Sequence, residues 1–159
     1  MTDRDVLEAR ARRLAVPSTE TALAEDRLAL VVEIDSQRFA FPLADVRRAL
    51  VLGPLTPLPH VPAIVLGLGT ADGDVLAVFD GRVWAGGARR PGAEHTPVLI
   101  LGSAHAPLAL AVDRFAGTLA RPAPVDGGAG WLREVTADGV LVVDVGAMLQ
   151  DPRFSLDPR

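Results

Sequence analysis

Three histidines are the residues best suited to hold a metal ion or to transfer protons: His60, His95 and His105. They lie far apart in the sequence, and none has a second ligand at the short spacing of a metal-binding motif. Ser103 precedes His105 by two residues, but the segment 102–105 lacks the second glycine of the G-x-S-x-G nucleophile turn. A hairpin turn therefore explains Ser103 better than a catalytic role does.

A glycine-rich segment around Gly67 and Gly69 superficially resembles a phosphate-binding loop. Such a loop needs a helix directly after its glycines, so that the helix N-terminus meets the phosphate. Here Asp72 and Asp74 precede an apolar, strand-like segment, and two carboxylates would repel a phosphate. We therefore predict no catalytic residues, no metal site and no cofactor. The other aspartates considered are dispersed and are expected in turns or at helix N-termini: Asp80, Asp113, Asp126 and Asp144.

The composition narrows the functional classes further. The 159 residues include no Cys, which excludes a disulfide framework and a cysteine nucleophile. The net charge of −4 argues against nucleic-acid binding, because such proteins are normally basic. All 16 basic residues are Arg, while Lys, Asn and Tyr are absent, and this usage indicates a GC-rich, bacterial genome. The N-terminus lacks the apolar stretch of a signal peptide, and the uncharged segment 97–112 is too short to span a membrane, so we expect a cytoplasmic protein.

The first 26 residues are predicted to form a helix and a linker that precede the main domain. Residues 2–15 place Leu7, Ala11 and Leu14 on one helical face, and Pro17 ends the helix. Two interpretations remain open: a terminal helix docked by this thin stripe, or a basic amphipathic helix that meets a partner or a membrane surface.

From residue 27 onward, period-two patterning predicts a β-rich fold. Leu43, Val46 and either Ala49 or Leu50 return to helical spacing and predict a helix of about two turns. Asp72-Gly73 and the similar turn at 137–139 predict tight hairpins. The predicted strands are 28–34, 38–41, a short one at 51–52, 63–68, 75–79, 98–101, 108–112, 117–120, 131–135 and 140–143, with a short helix over 145–150 and loops over 85–96 and 122–130.

A short internal sequence repeat predicts two related β units. Residues 70–73 precede an apolar strand that ends at Asp80, and residues 136–139 precede one that ends at Asp144. Each unit would span roughly 60 residues, which favours a double barrel or a sandwich over a solenoid. We expect the division to fall within 85–115, with a return crossing of the chain as one option.

These segments together resemble the CheW family, the adaptors that couple chemoreceptors to the histidine kinase CheA. The order and spacing of the segments carry the resemblance, which covers about residues 27–150. The C-terminal tail, 151–159, lies outside it. The matching segments are 30–35, 39–41, 56–59, 65–67, 112–114 and 141–144, the Leu43/Val46/Ala49 pattern, and Gln37, Gly73, Asp80 and Gly117.

The resemblance implies a mainly β fold of two five-stranded, SH3-like β-barrel subdomains around a shared core, and no enzymatic activity. One barrel would bind the regulatory domain of a CheA-type histidine kinase. An apolar groove between the barrels would accept the hairpin tip of a chemoreceptor (a methyl-accepting chemotaxis protein). The alternative for each apolar groove position is a purely core role. The groove candidates are Leu30, Leu43, Val46 and Ala49 from the first half and Phe115, Ala116 and Thr118 from the second.

One motif departs from the family. Where members typically carry Asn-Leu-Arg-Gly in the first-barrel hairpin, this chain has Thr70, Ala71, Asp72 and Gly73. The alternative function is therefore a divergent, accessory CheW-like protein that has lost kinase coupling and modulates receptors or array assembly. A small β-barrel hydrolase or ligand carrier is the third alternative.

The same comparison predicts a specific ion pair. Many CheW proteins carry Glu two residues after the groove valine and Arg in the hairpin motif. This chain has Arg48 and Asp72 at those positions, so both charges are reversed. We predict that the two side chains approach each other and hold the hairpin against the predicted helix; the alternative is two unrelated surface charges.

Overall fold

Ten strands form two five-stranded sheets in the computed structural model, which describes residues 27–103, 106–120 and 130–155. Two short helices, each with an Asp at its N-cap, and two 3-10 turns complete the elements. The strands are β1 Leu28–Ile34, β2 Gln37–Pro42, β3 Val46–Leu52, β4 Val65–Ala71, β5 Asp74–Asp80, β6 Thr96–Gly102, β7 Pro107–Ala111, β8 Arg114–Ala120, β9 Leu132–Val135 and β10 Leu141–Val143. The helices are α1 Gly81–Trp84 and α2 Val145–Leu149, and the 3-10 turns are Leu43–Asp45 and Pro152–Phe154.

The chain crosses between the sheets and returns. The terminal sheet has the order β8-β1-β2-β10-β9, and the middle sheet has the order β3-β6-β7-β5-β4. The chain therefore passes from the terminal to the middle sheet at 43–45 and returns at 112–113. The predicted mainly β fold of two five-stranded, SH3-like units is confirmed, although the two sheets are not the closed barrels that were expected. The return crossing lies within the predicted 85–115 interval, but the first crossing was not anticipated.

The predicted internal repeat corresponds to two equivalent hairpin-helix units. β5 pairs in parallel with β7 and precedes α1, while β10 pairs in parallel with β2 and precedes α2. In each unit an Asp caps the helix: the Asp80 carboxylate accepts from the Arg82 N–H, and the Asp144 carboxylate accepts from the Ala147 N–H. The two sheets thus repeat one strand order.

The principal core lies between the sheets, with a smaller cluster associated with each sheet. β1 is buried on both faces: Val32 and Ile34 belong to the central cluster, whereas Ala29 and Val31 belong to the cluster of the terminal sheet. Four aromatic rings of the central cluster contact one another: Phe39, Phe41, Trp84 and Trp131. A strand with two apolar faces is typical of a sheet covered on both sides.

The helix predicted from Leu43, Val46 and Ala49 is wrong. A single 3-10 turn covers Leu43–Asp45, and the chain then enters β3, which pairs with β6. A register shift between Val46 and Arg48 inserts one extra residue into the strand. Because this bulge returns Val46 and Ala49 to the same face, a spacing of three imitates helical periodicity within a strand.

Tight turns occur where the sequence predicts them. Asp72 and Gly73 have φ values of 52° and 83° and connect β4 to β5 as a two-residue hairpin loop. Position 67 also requires glycine, because its φ is +151° and a Cβ there would lie 2.4 Å from the Thr56 carbonyl oxygen. That close approach lets Thr56 form a bridge to Leu68 beside the sheet edge.

The other predicted strands and the helix at 145–150 are confirmed within a few residues. The predicted helix over 2–15 and most of the predicted loop over 122–130 lie outside the described residues. Within the described ranges, no helix is long and apolar enough to cross a membrane.

Candidate partner-binding groove

The side chains with catalytic potential do not form a common site. His60 and His95 are exposed on separate loops, while His105 lies outside the described residues. The Ser103 hydroxyl accepts a hydrogen bond from the Ala106 N–H at 3.2 Å, as expected for the predicted hairpin turn. Across the described ranges, no group of three or more His, Asp or Glu side chains could hold a metal ion.

The buried carboxylates serve the architecture. Asp80 is fully buried and accepts from the backbone N–H groups of Arg82 and Arg90, at 2.9 and 2.8 Å.

Asp113, at the return crossing, accepts from the Arg82 guanidinium at 2.9 Å and from the Asp35 N–H at 2.7 Å. The hydrogen bond to Asp113 raises the pKa of Arg82 above its usual value. This network ties α1 to the β1–β2 turn of the other sheet. The predicted cap roles are confirmed for Asp80 and Asp144, whereas Asp113 makes long-range contacts with Asp35 and Arg82 and caps no helix. Asp126 lies outside the described residues.

One wall of the candidate groove belongs to the terminal sheet. In the antiparallel β1–β8 register, Leu30 lies opposite Thr118 and Val32 lies opposite Phe115. Val32 is fully buried in the central cluster, and paired residues of an antiparallel ladder share a face. Leu30, Phe115 and Thr118 therefore lie on the surface that faces the middle sheet.

The other wall belongs to β3 of the middle sheet. Val46 lies opposite Leu101 and Ala49 lies opposite Leu99, and both leucines are fully buried in the central cluster. Val46 and Ala49 therefore lie on the surface that faces the terminal sheet. Leu43 is half-buried on the 3-10 turn that contacts both β1 and β3.

Burial divides six of the seven groove candidates into two groups, and the seventh, Leu43, is half-buried outside both. Leu30, Val46 and Phe115 are partly buried and pack against the central cluster. Ala49, Ala116 and Thr118 are exposed. The residues of the first group lie at the edge of the core. Those of the second group are accessible to a binding partner.

The predicted ion pair between Arg48 and Asp72 is present, so this prediction is confirmed. Arg48 extends from strand β3, however, and not from the helix that the sequence analysis expected. Thr70, Asp72 and Gly73 are exposed, while Ala71 is half-buried. The pair lies at a cleft of about 220 Å³ whose walls include Leu76 and Ile100.

Sequence reasoning missed one exposed apolar residue of the groove face. Val51 lies two residues after Ala49 on β3, and 56 % of it is exposed. Period-two alternation along β3 identifies Val51, but the sequence analysis assigns only 51–52 to a strand and the residues before it to a helix, which hides the alternation with Ala49.

Two five-stranded, SH3-like sheets packed through a shared core define a two-sheet β domain. The chain belongs to the CheW-like domain family, whose sequence model matches residues 28–153. Proteins of the CheW family are non-catalytic scaffolds that act in chemotaxis signalling, which agrees with the sequence prediction of an adaptor without enzymatic activity.

A solved structure shows the same fold. The chain is similar to the scaffolding protein TtCheW from Thermoanaerobacter tengcongensis, with a TM-score of 0.64 and 15 % sequence identity. The similarity covers 82 % of this chain and 98 % of that protein. Among curated protein sequences, none is significantly similar to this chain.

Proposed function

We propose that this chain is a cytoplasmic adaptor of a bacterial chemosensory array, which couples chemoreceptors to a CheA-type histidine kinase. The receptor's helical hairpin tip would bind the groove between the two sheets. The proposed organisation is a CheW-like domain at 27–150, preceded by the segment 1–26 and followed by the tail 151–159.

The observation that supports this proposal is the arrangement of the groove walls. Ala49 and Thr118 are exposed, and each belongs to a surface that faces the other sheet. Half-buried Leu30, Val46 and Phe115 continue both surfaces into the central cluster. An apolar groove with a rigid floor suits the apolar ridge of a helix, because little conformational entropy is lost when the helix docks.

In the proposed function, the regulatory domain of the kinase would bind the middle sheet, which contains the β4–β5 hairpin. A second candidate function is an accessory protein that binds receptors without the kinase. The observation that favours it is the hairpin sequence at 70–73, where only the glycine of the family's Asn-Leu-Arg-Gly motif is present. The reversed charges of Arg48 and Asp72 would oppose a kinase surface adapted to the usual signs.

Binding measurements with purified components test the proposal. The probes are the cytoplasmic signalling fragment of a chemoreceptor and the regulatory domain of a CheA-type kinase, both from the same genome. Ala49→Glu and Thr118→Glu should each weaken receptor binding by about tenfold or more, because each places an unpaired charge against an apolar partner. Ala137→Glu, in the exposed β9–β10 turn, is the matched control and should bind normally.

The outcomes separate the two candidates. Binding of both probes supports the coupling adaptor, and binding of the receptor alone supports the accessory protein. Binding of neither probe would overturn both candidates.

A further inference from the structure

A cleft of about 340 Å³ lies at the middle sheet and shares no lining residue with the candidate groove. Leu55 and Leu66 line this cleft, and both pack against the smaller apolar cluster of the middle sheet. Pro57 also lines it, and the buried Thr96 adds a hydroxyl-bearing side chain. A cleft of this size with a mostly apolar floor suits a small organic ligand.

Two arginines line the same cleft, and each is held by a main-chain carbonyl group. The Arg90 guanidinium donates to the Val112 oxygen at 2.9 Å, and the Arg89 guanidinium donates to the Val65 oxygen at 3.3 Å. Because a carbonyl group carries no net charge, these hydrogen bonds orient the guanidinium groups without neutralising them. A guanidinium has five N–H donors, so most of the donors stay available for a ligand.

The positive charge at this cleft is not balanced by neighbouring carboxylates. Within the described ranges, neither Arg89 nor Arg90 forms an ion pair, whereas four other arginines each pair with a carboxylate: Arg48, Arg82, Arg114 and Arg153. Asp80 accepts from the Arg90 main-chain N–H, but it is fully buried and does not line the cleft. Two positive charges therefore face one buried negative charge, which leaves the cleft attractive to an anion.

We propose that this cleft binds a small organic anion, with an oxyanion head group (carboxylate or phosphate) at Arg89 and Arg90 and a short aliphatic chain against Leu55 and Leu66. Guanidinium groups form charge-assisted hydrogen bonds with either head group. Since both arginines are already held in place, little side-chain freedom is lost on binding. The site involves neither the receptor nor the kinase, so it goes beyond the proposed function.

NMR titration of the full chain, labelled with ¹⁵N, tests the site. The probes are hexanoate and hexyl phosphate, which carry both the charge and the chain. Acetate and inorganic phosphate lack the chain, and 1-hexanol lacks the charge. We expect saturable shifts at the amides of Leu66, Gly92 and Thr96. At least one of the two probes should bind about tenfold or more tightly than its chainless counterpart, because each fully buried CH₂ group strengthens binding by about fourfold.

Three glutamine variants test the contact with the head group. Arg89→Gln and Arg90→Gln should each weaken binding of the tighter probe by about fivefold or more, because each removes a charged donor. Arg38→Gln is the matched control, since Arg38 is also exposed and its guanidinium donates to the Asp138 carbonyl at 3.1 Å. This control should bind the probe like the unmodified chain. A thermal melt establishes that the variants are folded; Arg89 is exposed, so its variant decides if Arg90→Gln does not fold.

The outcomes decide the proposal on its own. Saturable shifts at the cleft that need both chain and charge, and that weaken in the Arg89 and Arg90 variants alone, support the site; the tighter probe then identifies the head group. Equal binding of the chainless anions or of 1-hexanol would overturn it, and so would unchanged binding in the variants. Absence of binding by both probes at millimolar concentration would overturn it too. The proposed function is measured with other partners and survives each of these failures.

Discussion

Arg48 and Asp72 form an ion pair that joins β3 to the β4–β5 turn across the seam of the middle sheet. β3 and β4 are the two edge strands of this sheet and lie side by side without a continuous ladder. Arg48 lies opposite Ile100, which belongs to the sheet's own apolar cluster, so the pair covers the open end of that cluster. The side chains are 48 % and 69 % exposed, which limits what the pair can contribute to stability.

A double-mutant cycle tests the coupling of the two charges. Arg48→Glu and Asp72→Arg should each lower the free energy of unfolding by no more than about 1 kcal/mol, and the double variant should recover part of that loss. Urea denaturation measures stability, and calorimetric titration with the kinase regulatory domain measures the effect on partner binding. The coupling should shrink in 1 M salt, because exposed charges are screened. Purely additive effects at low salt would mean that the pair does not act as a unit.

The hairpins and this ion pair could be predicted because their signals are local or follow from the family resemblance. Asp72-Gly73 supplies two residues that tolerate positive φ, so the turn between β4 and β5 is specified within the sequence itself. The repeated hairpin-strand-Asp unit likewise identified two equivalent halves, and Asp80 and Asp144 occupy matching caps.

The β3 strand could not be predicted because a bulge changes the apparent period. Val46 and Ala49 share a face only because the strand accommodates an extra residue near Arg47, and that residue is fixed by pairing with β6, a distant segment. The same error separated Val51, predicted in a short strand at 51–52, from Ala49, with which it shares a face of β3. The first crossing between sheets at 43–45 also depends on non-local pairing.

Gly81 should be essential at the start of α1. A Cβ at Gly81 would lie 2.4 Å from the Ala111 carbonyl oxygen and 3.1 Å from the Ile34 side chain, in a buried site. Gly81→Ala should therefore lower the free energy of unfolding by about 1–3 kcal/mol, as other overpacked core sites do. Urea denaturation of the full chain measures this change.

The matched control for Gly81 is Gly146, which lies in the equivalent helix α2. A Cβ there would have its nearest neighbour at 3.5 Å, the Asp144 carboxylate. Gly146→Ala should leave stability unchanged or raise it by up to about 1 kcal/mol, because alanine restricts the unfolded chain. Equal losses for both variants would contradict the argument from close approach.

Trp84 should contribute strongly to the contact between the sheets. It is 3 % exposed, and its ring centroid lies 4.7 Å from that of Trp131 and 5.4 Å from that of Phe39. Trp84→Ala should lower the free energy of unfolding by about 3–5 kcal/mol. Trp84→Phe should cost clearly less, because it keeps a ring and removes a buried indole N–H that has no hydrogen-bond partner among the described residues.

Fluorescence gives an independent check on the same cluster. The chain has two tryptophans, and both belong to this cluster, so their emission reports on it alone. We expect the fluorescence transition and the far-UV circular dichroism transition to coincide in urea. A fluorescence change that precedes the loss of strand signal would show that the sheets separate before they unfold.

Asp151 should add a small acid-sensitive contribution to stability. The hydrogen bond from the Arg153 side chain is the main cause that lowers the pKa of the Asp151 carboxyl below its ordinary value. Asp151 also accepts from the Arg153 N–H at the start of the 3-10 turn that carries Phe154, whose ring packs edge-on against Phe79 at 5.2 Å. Because the folded state has the lower pKa, the unfolded state binds more protons in acid, and stability rises with pH through this interval.

The contribution should therefore be complete above the unfolded carboxyl pKa of about 3.9 and should be lost as the pH falls through the folded value. Urea denaturation of the unmodified chain and of Asp151→Asn measures it as a function of pH. The stability difference between them should be constant above about pH 5 and should diminish toward about pH 2. Arg153→Gln is the control: since it removes the group that lowers the pKa, it should reduce the same pH dependence while keeping the Asp151 carboxylate. A difference that does not change with pH would mean that Asp151 acts through its geometry and not through its charge.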